Sequence, residues 1–527
     1  MKTLTLILLC LALAAQAQPP NVMTLVGQYE GGGGEYSYFG QGMTMGDFDA
    51  DGMEEFVIGS PYWPGYGEDY GKNFFYQYDS GWPTAPYMTL QGTEQNISYD
   101  LFDANLSDIN GDGLDDLGIP EYGYGPNTDA RLDIFFGGPG FDTIPEWSMS
   151  AEMVQYYAAQ LDSCGDANGD GQNDIVMQTF YYGDPAYMER LQIYHGGSAL
   201  DSVVDWTKFV PLSRSSALGD VNADEFADIM VLGGNQEPVQ IYFGGNPMDT
   251  IPDLIFEEYA YQARGGGVGD INADSYADFA ISLIFPDDIW RDAVYFGGPE
   301  LDDIPDIFLL NWQGGLNHSG HGFCEGDFNG DGISDIASAA GIPSMGPIIE
   351  IYLGGPWFNP TPDALITSWD YYTYSGLTAA MATGDVNGDG RDELLISAIS
   401  SAYFSIGRAY LFEGPETWTD LGAAVEPEEL TRYPGWFKLE QNYPNPFNSS
   451  TCIHFELGKP SNVNLKIYSI QGNAIKQLLV DKEMLPGGYN VSWNSKNEHN
   501  QAVSSGIYLL ELQVDQYRQM KKMVLVR

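Results

Sequence analysis

One short acidic pattern recurs seven times along the 527-residue chain and constrains its fold more than any other feature. The copies read GDFDADGMEE (Gly46 to Glu55), SDINGDGLDD (Ser107 to Asp116), GDANGDGQND (Gly165 to Asp174), GDVNADEFAD (Gly219 to Asp228), GDINADSYAD (Gly269 to Asp278), GDFNGDGISD (Gly326 to Asp335) and GDVNGDGRDE (Gly384 to Glu393). Their first aspartates, at 47, 108, 166, 220, 270, 327 and 385, lie 50 to 61 residues apart. A repeat of that length means that each unit is a supersecondary module stacked on its neighbours.

With the first aspartate as position 1, carboxylates or amides stand at positions 1, 3, 5 and 9. Calcium takes six to eight oxygens at about 2.3–2.6 Å, so a loop must curl round it and offer oxygens from alternate residues. The expected side-chain ligands are Asp47, Asp49, Asp51 and Glu55; Asp108, Asn110, Asp112 and Asp116; Asp166, Asn168, Asp170 and Asp174; Asp220, Asn222, Asp224 and Asp228; Asp270, Asn272, Asp274 and Asp278; Asp327, Asn329, Asp331 and Asp335; Asp385, Asn387, Asp389 and Glu393. Position 7 offers a backbone carbonyl, at Met53, Leu114, Gln172, Phe226, Tyr276, Ile333 and Arg391. An EF-hand also needs a bidentate Glu at position 12 and flanking helices. Position 12 here is Ile58, Ile119, Met177, Val231, Ile281, Ser338 or Ile396, inside short apolar runs that read as buried strands. The ladders are therefore hairpin loops.

A single copy is an ordinary solvated turn, because Asp, Asn and Gly are turn residues. Seven in register, each crowding carboxylates that repel one another, call for a cation. Up to seven structural Ca2+ are expected, with uneven affinity. Five loops have Gly at position 6, where a left-handed backbone is expected, whereas the fourth and fifth have Glu225 and Ser275. A residue with a side chain loses about 1–2 kcal/mol there, so those two sites should be weakest. The first loop, with four carboxylates, should be tightest.

Lys2, the apolar run Leu4 to Ala14 and Ala15-Gln16-Ala17 read as a signal peptide over 1–17, too short to span a bilayer. The remaining Cys164, Cys324 and Cys452 make no disulfide framework and are expected to be small buried residues. The formal charge of −53 is uneven: residues 18–434 hold 10 Lys/Arg against 67 Asp/Glu, and residues 435–527 hold 10 against 7. That asymmetry marks two domains, and the acidic one excludes nucleic acid and anionic membrane as partners. No other stretch is long and apolar enough to be a transmembrane segment.

Each unit reads as four strands. The first leads into the ladder and the second leaves it; the third ends in an aromatic-Gly signature such as Phe135-Phe136-Gly137-Gly138 or Tyr242-Phe243-Gly244-Gly245; the fourth is an outer segment of the Asp-Thr-Ile-Pro type. Seven such units imply an all-β, seven-bladed β-propeller over 21–418, whose closure protects sheet edges. No outer segment follows Phe412-Glu413-Gly414, so Asn21 to Val26 is expected to complete the last blade.

These repeats resemble the FG-GAP repeats of integrin α-subunit propellers and their bacterial relatives, through Phe39-Gly40 with Gly59-Ser60-Pro61, Gly118-Ile119-Pro120 and Gly341-Ile342-Pro343. Integrin propellers fill only some blades with calcium, whereas every unit here has the ladder. After a linker at 419–436, residues 437–527 resemble the type A C-terminal sorting domain of type IX secretion substrates. The resemblance rests on Leu439 to Asn448, Val463 to Tyr468, Leu485-Pro486-Gly487-Gly488, Trp493, Ser504 to Tyr508 and Lys521 to Leu525. Alternating strands between Pro/Gly turns independently read as a small Ig-like β-sandwich. The resemblance implies engagement of the type IX machinery and a place secreted from, or on the outer surface of, a diderm bacterium.

If the ladders join strands one and two, the two-to-three loops and the connections between units share the opposite face. Aromatics crowd there: Tyr62, Trp63, Tyr66 and Tyr70; Tyr122 and Tyr124; Tyr181, Tyr182 and Tyr187; Tyr156 and Tyr157; Tyr259 and Tyr261; Trp369, Tyr371, Tyr372 and Tyr374. Such rings either pack the gaps between blades or bind extracellular glycan or protein. The alternative class is a lyase-type carbohydrate-active enzyme on a propeller. None of His195, His318, His321, His454 and His499 sits in a nucleophile or zinc motif, and a binding protein is expected.

Overall fold

In the computed structural model, the described residues are 21–525 except 32–36, 63–70, 93–96, 100–104, 124–130, 151–155, 182–187, 199, 212, 234–236, 257–263, 285–289, 300, 311–321, 343–345, 357, 368–376, 399–406, 419–436, 440–441, 443, 445–446, 458, 470–473, 498–500, 504–505 and 515–516. The expected signal peptide and linker lie outside them. The chain divides into two compact units, Met1–Glu426 and Pro427–Arg527.

The first unit is all-β, a propeller-like succession of seven antiparallel sheets. The first sheet runs Met43–Gly46, Glu55–Ser60, Lys72–Tyr76 and Met88–Gln91, in chain order, and the ladder forms the hairpin between its first two strands. The other sheets repeat the plan; in the second, Ile97–Tyr99 and Asn105–Ser107 both pair with Asp116–Gly123. The run after the ladder is buried end to end in Glu55–Ser60, Asp228–Gly233 and Glu393–Ala398. Strands buried on both faces read as unbroken apolar runs, which is why these segments do not alternate.

The last sheet takes its outer strand from the other end of the chain. Leu377–Gly384, Glu393–Ala398 and Arg408–Glu413 are followed by Thr24–Tyr29, paired antiparallel with Arg408–Glu413. The strand starts three residues later than the expected Asn21 to Val26, and Asn21 bridges instead to Ala364 of the preceding sheet. The first and last sheets share one core, in which Tyr29, Met45 and Phe56 meet Leu395 and Leu411. The Asp-Thr-Ile-Pro segments are not strands: they form the turn before the fourth strand, which in the fourth sheet starts at Leu254. Cys164 is buried, but Cys324 and Cys452 are only half-buried, beside the polar Thr383 (3.6 Å) and Asn490 (3.7 Å) rather than within the core; all three are free thiols.

In the second unit, a three-stranded sheet (Phe437–Leu439, Thr451–Leu457, Gly487–Trp493) and a four-stranded sheet (Ala474–Met484, Ser461–Ser469, Gly506–Val514, Tyr517–Leu525) enclose one core. Trp493 is its largest buried side chain, against Phe447 and Tyr508. Among the described residues, no helix is long and apolar enough to cross a membrane.

Candidate metal centre

All seven ladders fold alike. The position 1 carboxylate accepts the amide of position 5 on one oxygen and that of position 6 on the other, as at Asp108 from Asp112 (3.1 Å) and Gly113 (2.7 Å). Position 5 accepts the amide of position 7, as at Asp112 from Leu114 (3.0 Å). The position 9 carboxylate accepts the amide of position 2: Phe48 to Glu55, Ile109 to Asp116, Ala167 to Asp174, Val221 to Asp228, Ile271 to Asp278, Phe328 to Asp335 and Val386 to Glu393, all at 2.9–3.1 Å. Position 7 spends its amide on position 5, which leaves its carbonyl as the candidate ligand.

Position 6 is left-handed in every loop, including Glu225 (φ 74°) and Ser275 (φ 77°) beside Gly52, Gly113, Gly171, Gly332 and Gly390 (φ 81–88°). A Cβ on any of those five glycines would meet nothing within 4 Å, so a side chain there costs backbone strain alone. Position 4 is left-handed too, and in the first, fourth and fifth loops it is an alanine (Ala50, Ala223, Ala273). The first loop thus carries strain that its extra carboxylate must offset.

Position 9 is at most 1% exposed in every loop. Burial raises its carboxyl to about 8 in Glu55, about 7 in Asp116, about 8 in Asp228, about 7 in Asp278, about 8 in Asp335 and about 9 in Glu393, against the partial offset of the amides it accepts. Burial raises Asp174 as well.

In the first loop, Asp47, Asp49 and Glu55 place one carboxylate oxygen each within 4.8 Å of one another. Glu55 Oε1 is buried and accepts no hydrogen bond, and the same holds for Asn222 Oδ1 and Asn272 Oδ1, the position 3 amides of the fourth and fifth loops. A buried oxygen left without a donor is costly. Such oxygens, in an all-oxygen donor set at alternate positions, fit a hard divalent cation such as Ca2+. In the second, third and seventh loops the position 3 amide instead turns its nitrogen to the position 9 carboxylate, as in Asn168 to Asp174 (3.1 Å). Two loops add a partner that the sequence did not single out as one. Gln77 donates to Asp49 (2.8 Å) and Asp51 (3.0 Å), and the Arg391 side chain reaches Asp389 (2.6 Å).

The aromatic-Gly-Gly signature belongs to this site as well. In the second to sixth sheets the first glycine amide donates to the same sheet's position 9 aspartate: Gly137 to Asp116, Gly196 to Asp174, Gly244 to Asp228, Gly297 to Asp278 and Gly354 to Asp335, at 2.6–2.9 Å. The second donates to the position 2 carbonyl of the preceding loop, as from Gly245 to Ala167 (2.8 Å) and Gly298 to Val221 (2.8 Å). In the seventh sheet Pro415 follows Gly414 and has no amide hydrogen; the Trp418 indole donates to the preceding loop's Phe328 carbonyl instead (3.1 Å). The first and seventh loops, whose position 9 is the longer Glu, lack the Gly-Gly pair. That co-occurrence was the sequence signal for these glycines.

Of the opposite-face aromatics, only Tyr62 has a described side chain; it packs edge-on to Tyr38, with ring centroids 5.4 Å apart. Tyr122, Tyr156, Tyr157 and Tyr181 lie in strands, without described side chains, and the others lie outside the described residues.

The fold and loops define a protein of repeated antiparallel sheets, each with an acidic hairpin inside it. Residues 327–396 match the FG-GAP-like repeat family and residues 441–526 the secretion system C-terminal sorting domain family. Residues 327–396 thus carry an FG-GAP-like repeat, and the sorting domain at 441–526 implies secretion to the cell surface or beyond. It is similar to integrin alpha-PS2 of Drosophila melanogaster (30% identity over 42% of this chain and 15% of the relative) and to integrin alpha-5 of Xenopus laevis (24% over 31% and 17%). The match thus spans about a sixth of those relatives' length. A solved chain described as PorZ, an essential bacterial surface component of the type-IX secretion system of Porphyromonas gingivalis, aligns with 95% of this chain and 60% of its own at 13% identity and a TM-score of 0.37, too low to bear on fold or function. The motif that names the repeats has a physical role in the first unit: Gly40 donates to the Gly59 carbonyl (2.7 Å) and Ser60 Oγ to the Ser37 carbonyl (2.8 Å), which ties Phe39-Gly40 to Gly59-Ser60.

Proposed function

We propose that the chain is a secreted or cell-surface binding protein, an adhesion-type seven-bladed propeller. Each ladder holds one structural Ca2+, and glycan or protein ligands are recognised on the face opposite. The second unit serves as an Ig-like domain that engages the type IX machinery. The observation that carries this reading is the uniform hydrogen bonding of seven loops round a buried position 9 carboxylate, together with the buried oxygens of Glu55, Asn222 and Asn272 that have no donor. Calcium supplies the positive charge that these oxygens lack, and a rigid ring of loops fixes the opposite face. We read the protein as non-catalytic, because the acids that lie close enough to share an ion among the described residues, Asp47, Asp49 and Glu55, belong to a loop.

A screen of glycans and extracellular-matrix proteins, run with calcium and with chelator, tests the proposal. Binding is expected with calcium, diminished by chelation and by Trp63→Ala and Trp369→Ala. Signals that both variants leave intact would argue against recognition on that face.

A further inference from the structure

Ile144, Val203, Ile251 and Ile304 are 68%, 64%, 69% and 52% exposed, and they occupy the same repeat position in four consecutive sheets, the second to the fifth. Scattered surface hydrophobics are ordinary; a row fixed by the repeat is not. Each sits at the tip of the turn between the third and fourth strands. Because the strands are antiparallel, that turn lies at the same end of the sheet as the acidic hairpin and away from the face assigned above.

These turns are held rigid from both sides. The aspartate two residues earlier accepts the tip amide: Asp142 from Ile144 (2.7 Å), Asp201 from Val203 (2.7 Å), Asp249 from Ile251 (2.7 Å) and Asp302 from Ile304 (2.8 Å). A carboxylate two residues later accepts the amide at the end of the third strand, as Asp253 does from Phe243 (2.9 Å). The turn of the fourth sheet is also tied to the fourth strand of the third, since Trp206 Nε1 and Lys208 Nζ donate to the carbonyls of Asp249 (2.8 Å) and Thr250 (2.7 Å). An apolar tip that is already ordered loses little freedom on binding, which favours docking.

We propose that this row is a second docking surface, for a cationic protein segment that presents apolar side chains at intervals. Charge selects the occupant. Every tip is bracketed by exposed carboxylates, and the chain as a whole carries −53, so a second copy is repelled while a basic partner is attracted. The apolar tips then distinguish an amphipathic basic segment from one that is merely basic. This surface does not depend on the ligand face proposed above.

The test uses the secreted protein with calcium at about 0.15 M salt, where long-range attraction is screened. Two probes are compared: a short peptide of alternating Lys and Leu, and its Lys/Ser analogue. The protein is expected to bind the Lys/Leu peptide at least about tenfold more tightly, a margin within reach of a few buried apolar contacts. The combined variant Ile144→Ser, Val203→Ser, Ile251→Ser and Ile304→Ser is expected to lose that preference with an unchanged melting temperature. Equal binding of the two peptides by the wild type would overturn the proposal, as would a preference that survives the four substitutions. Self-association that disappears in the variant would assign the row to a second copy and overturn it too.

Discussion

At the scale of single residues, the loops are governed by backbone handedness and by one buried acid each. Recurrent glycine made the left-handed position 6 legible in the sequence, and Glu225 and Ser275 adopt it nonetheless. Position 4 was not legible, because Ala50, Ala223 and Ala273 hide a conformation that glycine marks elsewhere. Replacing Glu225 or Ser275 by Gly should stabilise the fold by about 1 kcal/mol each, read as a higher melting temperature with a tighter calcium isotherm for that loop. The position 9 acids give a pH dependence of definite sign. Their folded values, about 8 in Glu55, Asp228 and Asp335, lie above the ordinary carboxylate range, so the cation-free fold holds protons that the unfolded chain has released. Their contribution is therefore fully present at the acid end and is lost as pH rises from about 4 to about 8. Chelated protein should melt lower at pH 8 than at pH 5.5, and calcium should reverse that order, because the ion needs the ionised form. Parallel profiles with and without calcium would contradict the assignment of position 9 as a ligand.

At the scale of strands and hairpins, the sequence revealed the period, the ladder hairpin and the buried second strand, because each depends on residues close in the chain. What it concealed were contacts between units. The Gly-Gly pair reads as a strand ending, yet its second amide serves the neighbouring loop, and Trp418 takes that role where Pro415 cannot. The acid at position 8 is another such contact: Asp115 accepts the amide of Asp47, and Asp392 that of Asp327, each from the loop before its own. The fourth strand was misplaced for a related reason, since Asp-Thr-Ile-Pro has a strand-like isoleucine in a turn closed by its own aspartate. Closure by Thr24–Tyr29 gives the test at this scale. Deleting residues 18–30 should remove Tyr29 from the core shared by the first and last sheets and lower the melting temperature of the whole first unit. A temperature unchanged by the deletion would mean that the strand is only an appendage.

At the scale of the whole molecule, the chain comprises an acidic first unit and a second unit of opposite balance, and the two families matched divide in the same way. Seven divalent ions would neutralise about 14 charges, which relieves self-repulsion as well as filling the loops. The proposed ligand face was the least legible part of the chain: tyrosine and tryptophan read alike whether they pack between sheets or face solvent. The loops are different, since their chemistry is local and repeated, and they carry the central claim that calcium holds the fold. Calorimetry of the full chain, with saturating calcium and then with chelator at pH 7.5, tests it most directly. A site filled at about 100 times its Kd adds about 2.7 kcal/mol, so several sites together predict a large fall in the first unit's melting temperature on chelation, restored by calcium and not by potassium at equal ionic strength. A melting temperature that complete calcium removal leaves unchanged would contradict the account.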